Sequence, residues 1–213
     1  MSADYISNVL IPDLLDIILF FVTLFIAIRA FSVNARISNP RLLILGLAMS
    51  ILALSALADF TSSNVTIITF NTDWFLYIGQ AVSLLFILLS LSSNKDTYFQ
   101  GLIRWQIIAS VLLVALLLLS PALPPITNVI LQTTLRATRC ILCFGIFYFY
   151  ISAFLKKQTR FSLLMGTGFL LLGFGYLIIA YEYYTPYTQI FDNIGDVVRL
   201  IGLTALLAAV LAG

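Results

Sequence analysis

Seven runs of apolar residues fill the chain almost end to end, each close to the ~20 residues an α-helix needs to cross a hydrocarbon core. Polar punctuation places the predicted spans at residues 12–31, 41–60, 74–93, 102–120, 126–155, 161–183 and 188–213. Pro12 stands where a first-turn proline is tolerated, and the breaker Asn39-Pro40 separates the first two spans. Pro121, Pro124 and Pro125 force a turn before the fifth. The expected fold class is an all-α integral membrane bundle of seven transmembrane helices, a single transmembrane domain over residues 1–213 with no room for a soluble one. The first residues carry Asp4 and no Lys or Arg, so helix one is expected to stay in the mature protein.

The bases give the bundle a direction. Arg29, Arg36 and Arg41 flank the first connection, Lys95 and Arg104 the third, and Lys156, Lys157 and Arg160 the fifth, while the second, fourth and sixth carry none. By the positive-inside rule the odd connections are cytoplasmic, which puts the N-terminus outside and the C-terminus inside. Tyr181, Tyr183, Tyr184 and Tyr187, with Trp74 and Tyr77, then read as an aromatic belt at the outer interface.

An internal repeat runs through the same pattern. Asp13 and Asp16 in the first span and Arg136 and Arg139 in the fifth share a three-residue spacing, and each pair lies equally far before an Ala-Phe dipeptide, Ala30-Phe31 or Ala153-Phe154. Phe75, Ile78, Gly79, Val82 and Leu84 match Phe191, Ile194, Gly195, Val198 and Leu200 at one constant offset. Spans two and six each begin at a base, Arg41 or Arg160, and end at an acid, Asp59 or Glu182. Spans one to three thus answer spans five to seven, and span four links them. An odd linker keeps both triplets in one orientation, so the predicted repeat is parallel, of 3+1+3 type. The rival reading is that two leucine-rich triplets agree by chance.

Composition strengthens the membrane assignment and removes several functions. Hydrophobic residues make up 62% of the chain and charged ones 9%, against about a quarter charged in soluble domains. The lipid bilayer is the first expected partner, and no basic patch points to nucleic acid. Cys140 and Cys143 sit one turn apart in an apolar span and read as packing residues. The chain has no histidine, which removes the usual haem ligand, the commonest zinc ligand and the easiest general base. No cofactor, metal or catalytic constellation is expected. Retinal attachment would need a lysine inside a span, and there is none. Gly195-Asp196 matches part of the Gly-x-Gly-Asp signature of intramembrane aspartyl proteases, but Asn193 replaces the first glycine and no Tyr-Asp partner exists.

The charges inside the spans fall in one layer near the outer surface: Asp13, Asp16, Asp59, Glu182, Asp192 and Asp196 against Arg136, Arg139 and Arg199. A helix dipole accounts for acids in a first turn, such as Asp13 and Asp16. It does not account for arginines well inside a span, which usually face the bundle and pair with an acid or a ligand anion. Three readings stay open: ion pairing among helices one, five and seven, snorkelling of the arginines to the headgroups, or an outward polar pocket. Deeper in the spans lie only hydroxyls and amides, among them Thr23, Ser55, Gln80, Gln106, Thr167 and Thr204, so no ion path is expected. Gly166 and Gly173, and Gly195 and Gly202, read as helix-packing positions.

The paired Phe75-Ile78-Gly79 and Phe191-Ile194-Gly195 blocks, with the Asp13/Asp16 and Arg136/Arg139 positions, give the chain a pattern that resembles the seven-helix membrane input modules of prokaryotic signalling proteins. SWEET-type sugar carriers share the same helix arithmetic. The first resemblance implies a multi-pass protein of a prokaryotic cell membrane and a receptor-like or anchoring module whose polar layer meets a ligand or partner. Within residues 1–213 no effector segment follows the seventh span, unlike such modules, and the mid-span prolines of the carriers are lacking. A structural subunit of a membrane complex, with a protein partner or a second copy, and a small-solute carrier are the alternatives.

Overall fold

A computed structural model describes residues 11–64, 71–93, 96–181 and 188–212. It holds seven long helices: α1 (Ile11–Ile37), α2 (Pro40–Asn64), α3 (Asp73–Ser92), α4 (Asp96–Leu119), α5 (Val129–Lys157), α6 (Arg160–Tyr181) and α7 (Thr188–Ala212). All seven are long and apolar enough to cross a membrane, which fits a multi-pass membrane protein. Among the described residues there is no strand.

The helix ends follow local chemistry. α1 closes on Ser38, whose left-handed φ of 50° lets its N–H reach Asn34 O at 2.7 Å. Asn39 then caps α2 by accepting from Arg41 N at 3.0 Å. The α5–α6 turn is built alike: Gln158, φ 49°, donates to Phe154 O at 2.6 Å, and the Thr159 hydroxyl accepts from Ser162 N at 3.3 Å. α5 starts at Val129, three residues later than the apolar pattern suggests, because Asn128 caps it through Ile130 N and Leu131 N. α4 starts six residues earlier than the pattern suggests, since its first turns pack Phe99 and Leu102 against Ile44 of α2.

Six helices form a closed ring. In order around it, α1 touches α2, α2 touches α3, α3 touches α5, α5 touches α6, α6 touches α7, and α7 returns to α1. α4 lies outside, against α2 and α3. Its span is only 17% buried, against 56% for α2, α3 and α6, and it turns Trp105, Val111, Leu112 and Leu118 outward. The main core draws on every ring helix and not on α4: Ile26 and Ala27, Ala48 and Met49, Ile87, Ile146, Met165 and Phe169, Leu206 and Ala209.

Glycines set the closest approach. A Cβ on Gly168 would lie 3.0 Å from Gly202 O, and one on Gly175 would lie 2.8 Å from Gly195 O. α6 and α7 therefore meet backbone to backbone, where dispersion is strongest. Gly166 and Gly173 also pack against a neighbouring helix, here α5, at Tyr150 and Phe147 and at Phe144. α6 thus carries one small-residue face for each neighbour.

Candidate functional site

A cavity of about 340 Å³ opens at the end of the ring where α1, α3 and α7 begin and α2 and α6 finish. Every ring helix lines it and α4 does not. Eight of the nine residues expected in the polar layer meet there: Asp13, Asp16, Asp59, Arg136, Arg139, Asp192, Asp196 and Arg199. Glu182, the ninth, lies outside the described residues, as do Tyr183, Tyr184 and Tyr187.

Six further polar residues line the cavity: Thr23 of α1, Asp73, Tyr77 and Gln80 of α3, Tyr176 of α6 and Asn193 of α7. On α3 the signal was periodicity. Asp73, Tyr77, Gln80 and Leu84 are spaced four, three and four apart and so share one face. Tyr77 is therefore not an interfacial belt residue; it is 8% exposed and turned toward the arginines.

Arg139 is held by neutral groups. Arg139, 5% exposed, donates a hydrogen bond to Gln80 Oε1, which also accepts from the Tyr176 hydroxyl at 3.3 Å. Its guanidinium lies over the rings of Tyr77 and Tyr176, 4.9 and 4.8 Å from their centroids. Arg136 donates to Tyr77 Oη at 3.3 Å and to Ile179 O at 3.0 Å. Arg199 lies 4.8 Å from the Tyr176 centroid and pairs with Asp196, one turn away on its own helix, at 2.5 Å. Where the sequence suggests an acid from another helix, Arg139 meets Gln80 instead, and it has no carboxylate partner among the described residues.

Two kinds of unmet capacity remain. The buried Nε atoms of Arg139 and Arg199 have no hydrogen-bond partner. The carboxylates of Asp16 and Asp59 have neither a hydrogen-bond nor an ion-pair partner among the described residues. Burying charged atoms without partners is costly. That cost falls on the enclosed Nε atoms, whereas Asp16, half-buried, and Asp59, exposed, face a cavity that can admit water or a polar ligand.

The floor is apolar, formed by Leu19, Leu52, Leu84, Leu172 and Leu203, one leucine from each ring helix except α5. Thr23, which also lines the cavity, turns its hydroxyl back to Leu19 O at 2.6 Å, and other span hydroxyls do the same on their own helices: Ser55 to Ile51 O at 2.9 Å, Thr167 to Leu164 O at 3.0 Å and Thr204 to Ile201 O at 2.8 Å. Gln106 is spent on Ile44 O at 3.0 Å, between α4 and α2. Cys140 and Cys143 are buried and unbonded, with Cys143 in the core wall of α5. Among the described residues no group of His, Cys, Asp and Glu is placed to hold a metal ion. Comparison with protein families, characterised proteins and solved structures finds no match to this chain.

Proposed function

We propose that the chain is a receptor-like membrane module whose cavity, open to the outside, takes a ligand or a segment of a partner. One observation carries this reading: a polar chamber at one end of the ring, with charged atoms incompletely bonded among the described residues and an apolar core beneath it. Orientation is inferred from charge. Arg29, Arg36, Arg41, Arg104, Lys156, Lys157 and Arg160 gather at the end away from the cavity, and such residues favour the cytoplasmic side. The cavity then faces outward, with the N-terminus outside and the C-terminus inside. The test is to purify the Arg139→Gln variant. A receptor should remain folded and lose ligand-dependent thermal stabilisation, whereas a subunit of a larger complex should lose its co-purifying partners.

A second reading, a small-solute carrier, draws on the helix order. Under a parallel 3+1+3 repeat, α1–α3 correspond to α5–α7, and the ring contacts of α3 with α5 and of α7 with α1 exchange under a two-fold axis along the membrane normal. Three further features agree. The α1–α2 and α5–α6 turns share one design, at Ser38 and Gln158. Gly79 faces Ile51 and Ser55 of the preceding helix, as Gly195 faces Ile179 and Gly175. α4 stands outside both triplets. A carrier must also open inward, and trapping a state with a cavity at the basic end would favour it over a receptor.

A further inference from the structure

The cavity has two poles. α1 and α5 stand opposite one another in the ring, separated by α2 and α3 on one side and by α6 and α7 on the other. α1 and its neighbour α2 supply Asp16 and Asp59, whose carboxylates have no partner among the described residues. α5 supplies Arg139, whose guanidinium meets Gln80, Tyr77 and Tyr176 and no carboxylate among the described residues. Arg199, on α7 next to α1 in the ring, stands between the poles and shares the Tyr176 ring with Arg139.

This separation selects a ligand class. A simple anion drawn to Arg139 and Arg199 is repelled by Asp16 and Asp59, and a simple cation meets the reverse. A molecule carrying both charges satisfies both poles and leaves neither set of charged groups without a counter-charge. The 95% burial of Arg139 and its unpartnered Nε mark the anion end as a built site and not a solvated rim. A volume of about 340 Å³ is at the small end of ligand pockets. The leucine floor offers apolar contact to a short hydrocarbon stem.

We propose, resting on the receptor-like reading above, that the cavity binds a small zwitterion, its oxyanion at Arg139 and Arg199 and its cationic nitrogen at Asp16 and Asp59. The chemistry is shared by dissolved amino acids and by the ammonium–phosphate headgroup of a lipid.

The test uses the full chain in lipid nanodiscs, titrated with the unbranched amino acids from glycine to 6-aminohexanoate and with their N-acetyl and carboxamide forms. One chain length should bind best, because the poles sit at a fixed separation. Its N-acetyl and carboxamide forms should bind at least about tenfold more weakly, since each leaves one pole unpaired. Asp16→Asn should erase the preference for the free amine while keeping that for the carboxylate, and Arg139→Gln should do the reverse. Asp16→Asn removes no bonded group, so its elution profile and Tm report a retained fold if Arg139→Gln proves unstable. Equal affinity in phosphatidylglycerol and phosphatidylethanolamine discs assigns the site to a dissolved zwitterion; loss in phosphatidylethanolamine assigns it to the lipid headgroup. N-acetyl forms binding as tightly as free amines would overturn the zwitterion and leave the receptor reading standing. If no amino acid binds, nor acetate, nor phosphate, both readings fall.

Discussion

Arg139 on α5 gives its hydrogen bond to the neutral amide oxygen of Gln80 on α3, 59 positions away. That choice of partner keeps a full positive charge on the cavity wall. An acid in place of Gln80 would cancel the charge and leave nothing for a ligand to neutralise.

Changing Gln80 should therefore separate stability from binding. Gln80→Leu removes the acceptor of both Arg139 and Tyr176 and should cost about 1–3 kcal/mol. Gln80→Glu keeps an acceptor and supplies a charge, so Tm should hold or rise while affinity for any anionic probe falls by about tenfold or more. Thermal denaturation and titration of the same two variants check both halves. A Glu variant that binds anions as well as the parent would show that Arg139 is not the anion seat.

Tyr176 has two separable duties. Its hydroxyl bonds Gln80 at 3.3 Å, and its ring lies under Arg139 and Arg199, each 4.8 Å from the centroid. Tyr176→Phe should lose only the hydrogen bond, about 1 kcal/mol. Tyr176→Leu should lose about a further 1–2 kcal/mol as two cations forfeit their aromatic face. Equal Tm values for Phe and Leu would argue that the ring contacts contribute little.

The α6–α7 seam predicts a contrast between two glycines. A Cβ on Gly175 would lie 2.5 Å from Arg199 Cγ and 2.8 Å from Gly195 O, whereas one on Gly101 meets nothing within 4 Å. Gly175→Ala should destabilise by about 1–3 kcal/mol through overpacking and displace Arg199. Gly101→Ala, in open space on α4, should stabilise by up to about 1 kcal/mol through helix propensity. Denaturation midpoints of both variants in one detergent provide the comparison.

Orientation yields to labelling. Cys140 and Cys143 are buried, so an introduced cysteine reports alone. In intact cells a membrane-impermeant maleimide should label Thr61→Cys, at the cavity end of α2, and not Ser162→Cys, at the start of α6. The opposite pattern would place the cavity on the cytoplasmic side and remove the outward-facing reading.

The linear chain carries a good deal of this. Seven apolar runs of spanning length follow from the cost of leaving a backbone group unbonded in lipid, and that cost is legible residue by residue. The same logic brings out the layer of charges, because a carboxylate or guanidinium inside a span is conspicuous whatever surrounds it. Eight of those residues do line one cavity.

What an apolar run does not encode is azimuth. Lipid and core are equally greasy, so hydropathy could not say that α4 leaves the ring, that Gly168 and Gly175 rather than Gly166 and Gly173 meet α7, or that Tyr77 turns inward. Nor could it pair the charges. Opposite signs at one depth suggest salt bridges, yet the ring places Asp16 and Arg139 on opposed helices and gives Arg139 an amide and Arg199 a same-helix acid as partner. Membrane depth was written in the sequence because it depends on single residues, while the two-poled cavity exists only once six helices close around it.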